Sequence, residues 1–194
     1  MTNSKLEAIK NFVKKKTSKS QDPQHGWDHL ERVANYALNI VKSLKLENKL
    51  DLNLLLAACY LHDINNTFHS PGIVSYFLER KRLKLVLPTI LSGLDIDQNE
   101  MKIIENVIYA SPFSFPFKKL NKGKDLYTRI LQDADTLDFF SKIREIGFRK
   151  AAKNFNFYAF WGLFANRALK YGRSNLKNYL NFPELAEELY VQKN

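Results

Sequence analysis

Residues 50–63, LDLNLLLAACYLHD, form the most apolar segment of the chain and end in a histidine–aspartate pair. A helix that is apolar on all sides belongs in the middle of a domain, where other helices cover it. The apolar run is too short to cross a bilayer, because residues 52–61 are interrupted by Asn53 and a span takes about 20 residues. The segment therefore predicts a central buried helix.

Amphipathic helices are predicted on both sides of this segment. Leu6, Ile9 and Val13 recur at helical spacing, and a second helix starts near Asp28 and runs to about Leu46. Further helical stretches are predicted from Ser70-Pro71 and at about 84–93, 98–110, 125–139, 139–153, 157–172 and 183–191. No segment alternates apolar and polar residues as a half-buried strand does. The sequence predicts an all-α, single-domain helical bundle.

Composition and charge narrow the class of protein without selecting a function. The 194 residues include only 7 glycines and 6 prolines, which excludes collagen-like and low-complexity chains. One cysteine, Cys59, allows no internal disulfide, and no secretory signal precedes the first helix, so we expect a cytoplasmic protein. The net charge of +10 fits either a phosphate-rich partner or a solvated lysine-rich surface.

Three of the four histidines fall in two tight clusters with carboxylates. The first cluster is residues 25–29, HGWDH, followed by Arg32, and the second is the His62-Asp63 pair that closes the apolar helix. A histidine and an aspartate at the end of a buried helix are costly to desolvate unless they are paired or bind a cation. Taken alone, the pair fits metal binding and helix-end polarity equally.

A third polar cluster, residues 131–138, reads LQDADTLD within an otherwise apolar helix. Its three carboxylates repel one another and need a cation or buried donors to offset that repulsion. Asp135 and Asp138 are three residues apart and share a helix face, whereas Asp133 points elsewhere. Two imidazoles with two carboxylates suit one divalent ion, with Mn, Fe, Ni, Mg and Zn as candidates.

These clusters and their flanks resemble the HD-domain metal-dependent phosphohydrolases, whose pattern is H…HD…D. Residues 29–33, HLERV, look like the family's H-x-x-R-V, and residues 57–64, AACYLHDI, look like its A-x-L-H-D-I. Residues 131–138 resemble the L-Q-D-A-D-x-L-D of a subgroup of small bacterial HD hydrolases. The resemblance covers about residues 20–170 and implies one HD domain over residues 1–194, with flanking helices packed on its core.

The resemblance implies metal ligands and further site residues. It assigns His29, His62, Asp63 and Asp135 to the metal, with Asp135 preferred to Asp133 because the family's ligand precedes x-Leu. It makes Asp135 or Asp138 a candidate proton acceptor from water. His25 is a candidate for a place beside the ligands or on the substrate, and His69 for a phosphate or proton contact or a plain surface position. Candidates for contacts with phosphate oxygens are Arg32, Arg149 and Lys150. Lys118 and Lys119 are expected in a lid formed by residues 111–124. Arg32 could equally form a salt bridge with Asp28.

Two positions depart from the family pattern. Many active relatives carry an acidic residue after the HD pair, where this chain has Asn65 and Asn66. Many also carry a histidine at the end of the helix before the long loop, where this chain has Ala110. The second departure argues against a two-metal centre.

Two function classes follow from the sequence. The first is hydrolysis of a phosphate ester or anhydride in a small substrate, with a nucleotide favoured. The alternative is a catalytically weak metal-binding module that senses a nucleotide or binds nucleic acid, which Asn66 and the positive charge favour. A helical nucleic-acid binder without the metal would need a continuous basic face, and no membrane partner is expected. The sequence leaves the substrate, the metal and the choice between monomer and homodimer open.

Overall fold

The computed structural model describes residues 1–20, 22, 24–70, 72–111 and 125–187. In these residues the chain forms helices and no strand, which confirms the predicted all-α fold. The α-helices are α1 (Asn3–Thr17), α2 (Trp27–Ser43), α3 (Leu52–Leu61), α4 (Ile73–Gly93), α5 (Gln98–Ala110), α6 (Leu126–Phe139), α7 (Lys142–Ala151) and α8 (Asn156–Ser174). Short 3-10 turns cover Ile64–Thr67, Leu176–Tyr179 and Pro183–Leu185.

The apolar segment at residues 50–63 is the centre of the bundle, as predicted. Helix α3 packs against α1, α2, α5 and α6. Leu55, Ala58 and Leu61 are completely buried, and Asp51 caps the helix by accepting hydrogen bonds from the N–H groups of Asn53 and Leu54. The end of α3 therefore delivers His62 and Asp63 into the interior, between α2 and α6.

Helix α2 begins without a side-chain cap. It starts at Trp27, one residue before the predicted start, and its N-cap is Gly26, which has no side chain to accept a hydrogen bond. The N-cap side chains of three other helices do accept such hydrogen bonds: Asp97 before α5, Asp125 before α6 and Ser141 before α7. In the described residues, the backbone N–H groups of Trp27 and Asp28 therefore have no acceptor.

Two predicted elements differ in the structure. The stretch from Ser70 and the stretch at 84–93 are one helix, α4, which contains Pro88. Leu83, Leu87 and Leu91 lie four residues apart and are buried, so core contacts along one face hold the helix together across the proline. The predicted helix at 183–191 begins with a 3-10 turn at Pro183–Leu185 and is helical at Ala186 and Glu187, and the residues beyond 187 lie outside the described residues.

Two further expectations from the sequence concern the lid and membrane spans. Lys118, Lys119 and the rest of segment 112–124 lie outside them, so the predicted lid stays a prediction. Among the helices that are described, none is long and apolar enough to cross a membrane.

Candidate metal centre

Three of the four predicted metal ligands come together from three different helices. His29 lies on the first turns of α2, His62 is the C-cap of α3, and Asp135 lies in the middle of α6. One nitrogen or oxygen from each of the three lies within 4.8 Å of the others. The packing of α2 and α6 around the end of α3 therefore builds the group.

Asp63, the fourth predicted ligand, faces the same two imidazoles. Its Oδ2 lies 3.2 Å from Nε2 of His29 and 3.4 Å from Nε2 of His62. The Oδ1 of Asp135 lies 3.7 and 3.8 Å from the same two nitrogens. Both imidazole Nε2 atoms therefore point at a space that two carboxylates border.

The rear nitrogens of both imidazoles are engaged elsewhere. The Nδ1 of His29 lies 2.7 Å from Oδ2 of Asp138, and the Nδ1 of His62 donates to the carbonyl of Cys59 at 2.8 Å. The Nε2 of His62 is buried and has no hydrogen-bond partner in the described part of the chain. A histidine held through one ring nitrogen, with the other nitrogen unsatisfied, is the usual arrangement of a metal-ligating imidazole. The residues present therefore fit a divalent cation.

The electrostatics of the group favour a positive charge between the carboxylates. Burial disfavours the imidazolium form of His62, but Asp63 and Asp135 outweigh it and raise its pKa to about 9. Burial likewise opposes the charged form of Asp63, yet the neighbouring imidazoles of His62 and His25 hold its pKa well below the usual value. The two carboxylates therefore favour a positive charge at the position that both imidazoles face.

Asp138 holds His29 from behind. Its side chain is fully buried, and its carboxylate accepts from Nε of Arg32 at 2.5 Å and from Nη2 at 3.2 Å, besides the contact to His29. Both of its oxygens are engaged in these contacts, so Asp138 supports His29 and Arg32, while its predicted role as proton acceptor stays a prediction. Arg32, in turn, does not pair with Asp28 as the alternative expected.

Asp133 lies on the opposite side of α6, as the helical spacing predicted. Its carboxylate accepts from the backbone N–H of Asn181 at 2.7 Å, from the N–H of Phe182 at 2.9 Å and from the side-chain amide of Asn181 at 2.9 Å. Three donors satisfy it there. Its role is to fasten the C-terminal segment to α6.

His25 reaches the group from the turn before α2. Its Nδ1 lies 2.8 Å from Oδ2 of Asp22, and its Nε2 lies 3.7 Å from Oδ2 of Asp63. The hydroxyl of Tyr158, on α8, donates to Oδ1 of Asp22 at 2.7 Å. Burial opposes protonation of His25, but Asp63 and Asp22 together raise its pKa.

The remaining predicted site residues divide into two groups. Lys150 and Arg32 line a cavity of about 350 Å³ between α2 and α7. Arg149 does not line it; the side chain is 65% exposed and pairs with Glu145 at 2.6 Å, so its predicted phosphate contact stays a prediction. His69 belongs neither to the cavity wall nor to the metal-ligand group in the described residues.

A family model described as HD domain matches residues 26–139, which is more than half of the chain. The chain belongs to the HD-domain family. The match includes all four predicted ligands of this HD domain and is narrower than the predicted core of about 20–170, while the bacterial subgroup stays a prediction. No curated protein and no solved structure gives a significant match to the chain.

Sequence reasoning missed several residues around the site of this HD domain. Asp22 precedes His25 by three residues, and that spacing was the one signal available for it. Tyr158 carried no local signal, because it contacts the site from a distant helix. The contact of the Cys59 carbonyl could not be predicted for another reason: every residue has a backbone carbonyl, so the residue type gives no signal for it.

Proposed function

We propose that this HD domain is a metal-dependent phosphohydrolase that acts on a phosphate ester or anhydride, with a nucleotide as substrate. The observation that carries the proposal is the buried Nε2 of His62, which has no hydrogen-bond partner in the described residues and faces the carboxylates of Asp63 and Asp135. A buried polar atom without a partner costs about 1–3 kcal/mol, so its retention beside two carboxylates supports a bound cation.

His29, His62, Asp63 and Asp135 would hold one divalent ion. The mixed set of nitrogen and oxygen ligands suits Mn, Fe, Ni, Mg or Zn. Such an ion, when bound, supplies Lewis acidity toward a phosphoryl oxygen and toward water.

Residues of the chain orient the ligands, accept a proton and contact the substrate in this proposal. Asp138 and the Cys59 carbonyl orient the two imidazoles so that both Nε2 atoms face the substrate space. Asp135 is the proposed proton acceptor, because its side chain is 24% exposed whereas that of Asp63 is 15% exposed. His25, held by Asp22, is proposed to contact the substrate from the side of α2.

Turnover of a nucleotide panel with added Mn²⁺ tests the proposal. We expect phosphate release from at least one nucleotide, loss of that release after chelation, and its recovery when Mn²⁺ is restored. His62→Ala should remove both bound metal and release, whereas Lys153→Ala, on the exposed turn after α7, should keep both. Metal retention in His62→Ala, or release that survives chelation, would contradict the proposal.

A metal-binding module without turnover is the competing proposal, and one observation favours it. Asn65 follows the HD pair closely in the 3-10 turn Ile64–Thr67 and is buried, and an amide there cannot accept a proton as a carboxylate would. Such a module would bind a nucleotide in the presence of metal and release no phosphate. The same panel, read by calorimetry as well as by phosphate release, separates the two functions.

A further inference from the structure

The cavity between the start of α2 and α7 is distinct from the metal-ligand group. Of the four proposed ligands only His29 lies on its wall. Its volume of about 350 Å³ is within the range of small-molecule sites, which is about 300–1,000 Å³. Three cationic side chains line it: Arg32, Arg144 and Lys150.

Arg144 is a buried cation on the cavity wall. The residue is 5% exposed, its Nη1 donates to the carbonyl of Gln24, and its Nε is buried without an acceptor in the described residues. The carboxylate that approaches it is Asp138, at 4.0 Å, and this group already accepts from Arg32 and contacts His29. A buried charge without a hydrogen-bonded counter-ion is costly, so Arg144 favours an anion in the cavity.

The uncapped first turn of α2 adds donors to the same wall. In the part of the chain that the structure describes, the backbone N–H groups of Trp27 and Asp28 have no acceptor. The positive end of a helix dipole attracts anions at this position. Asp28 also lines the cavity, and its carboxylate opposes the binding of an anion. It is exposed, however, and the three cationic side chains on the wall outnumber it.

Two apolar side chains also line the cavity, on the same helix as Arg144 and Lys150. They are Ile143 and Ile146, which are 57% and 54% exposed and so offer apolar surface that a ligand could cover. A ligand that carries both an anionic group and an apolar ring would cover the isoleucines while it contacts the cations. An organic phosphate has both parts.

We propose that this cavity is a phosphate-binding subsite that takes the phosphate group of an organic phosphate monoester without help from the metal. Arg144 and Lys150 bind the phosphate oxygens together with the N–H groups at the start of α2, and Ile143 and Ile146 contact the organic part. Three of the four proposed metal ligands do not line the cavity, so we expect phosphate binding there to be separable from hydrolysis at the metal centre.

Calorimetric titration of chelator-treated, full-length protein tests the subsite, with inorganic phosphate in one arm and a nucleoside 5′-monophosphate in the other. We expect both ligands to bind, the nucleotide more tightly because it also covers the isoleucines, and both more weakly as salt screens the cations. Loss of one charge-assisted contact weakens binding about tenfold, so Lys150→Ala and Arg144→Lys should each do so for phosphate. Arg144→Lys retains the positive charge, and circular dichroism checks that each variant is folded.

Two matched variants separate the cavity from the metal centre and from general surface charge. Lys153→Ala removes an equal charge just beyond α7, away from the wall, and should bind phosphate like the parent. His62→Ala should lose the metal and keep phosphate binding. If that variant binds phosphate but releases none from nucleotides, the subsite is supported separately from the proposed hydrolase.

Three results would overturn the subsite. One is the absence of phosphate binding to the folded, metal-free parent. Another is unchanged affinity in both Lys150→Ala and Arg144→Lys. The third is phosphate binding that appears only when metal is restored, which would place the anion on the metal and leave the hydrolase proposal intact.

Discussion

The two faces of α6 carry the same kind of side chain in opposite surroundings. On one face, Asp133 is surrounded by donors from the C-terminal segment, namely the N–H groups of Asn181 and Phe182 and the Asn181 amide. On the other face, the carboxylate of Asp135 has the Nε2 atoms of His29 and His62 as neighbours, at 3.7 and 3.8 Å. The first aspartate is satisfied by the fold, whereas the second faces a space that suits a cation.

Asp138 shows that position on a helix face does not decide a role by itself. It shares the face of Asp135, yet it is fully buried and supports His29 through Nδ1, with Arg32 as its second partner. The difference between the three carboxylates teaches that available donors, and not charge alone, separate a structural aspartate from a metal ligand. Substitutions at these positions test that distinction directly.

Of the substitutions on α6, removal of the Asp135 carboxylate should have the largest effect. This effect should be on metal binding and not on the stability of the fold. We expect Asp135→Ala to reduce bound metal, measured by elemental analysis, to background, since each ligand of a four-ligand site contributes about 3 kcal/mol or more. The unfolding free energy of the metal-free protein should change little, because the side chain is partly exposed. Asp133→Ala is the matched control, and greater loss of metal in that variant would show that the wrong aspartate was chosen.

Removal of the Asp133 carboxylate should instead reduce stability. Three hydrogen-bond donors lose their acceptor, so we expect Asp133→Ala to lower the unfolding free energy by about 2–3 kcal/mol. Urea unfolding of the metal-free protein measures this change. The folded fraction should still bind metal at the parent ratio, and a folded but metal-free variant would contradict the separation of the two faces.

A conservative change at Asp138 should have an intermediate effect. Asp138→Asn preserves shape but removes the charge that holds Nδ1 of His29, and such outer contacts are worth about 10- to 100-fold in metal affinity. Competition with a chelating indicator gives the affinity. Unchanged affinity would mean that the packing of α2 alone orients the imidazole.

The smallest effect is expected at the partner of Asp133. Asn181→Ala removes the side-chain amide while the backbone N–H groups keep their acceptor, so we expect a loss of about 1 kcal/mol and no change in bound metal. Combined with Asp133→Ala in a double-mutant cycle, the two losses should be less than additive, because they share one contact. Full additivity would indicate that the amide acts through its other contacts, to Arg129 and Gln132.

Local sequence pattern was sufficient to predict a feature wherever that feature depended on a single helix. Unbroken apolar character placed residues 50–63 at the centre, and helical spacing separated Asp133 from Asp135 and Asp138, because successive residues turn by a fixed angle around the helix axis. The resemblance of three motif blocks to one family then pointed to the group of His29, His62 and Asp135. Pattern did not show that the stretch from Ser70 and the stretch at 84–93 form the single helix α4.

The sequence by itself therefore determined the helical class, the central helix and the residues that form the candidate metal centre. Tertiary structure alone decided the partners of those residues: Asp138 behind His29, Tyr158 behind Asp22, and Arg144 against the carbonyl of Gln24. Each of these contacts joins residues more than a hundred positions apart, where no periodicity relates one side chain to the other. Their geometry follows from how α2, α6, α7 and α8 pack, and packing depends on the shape of the whole core.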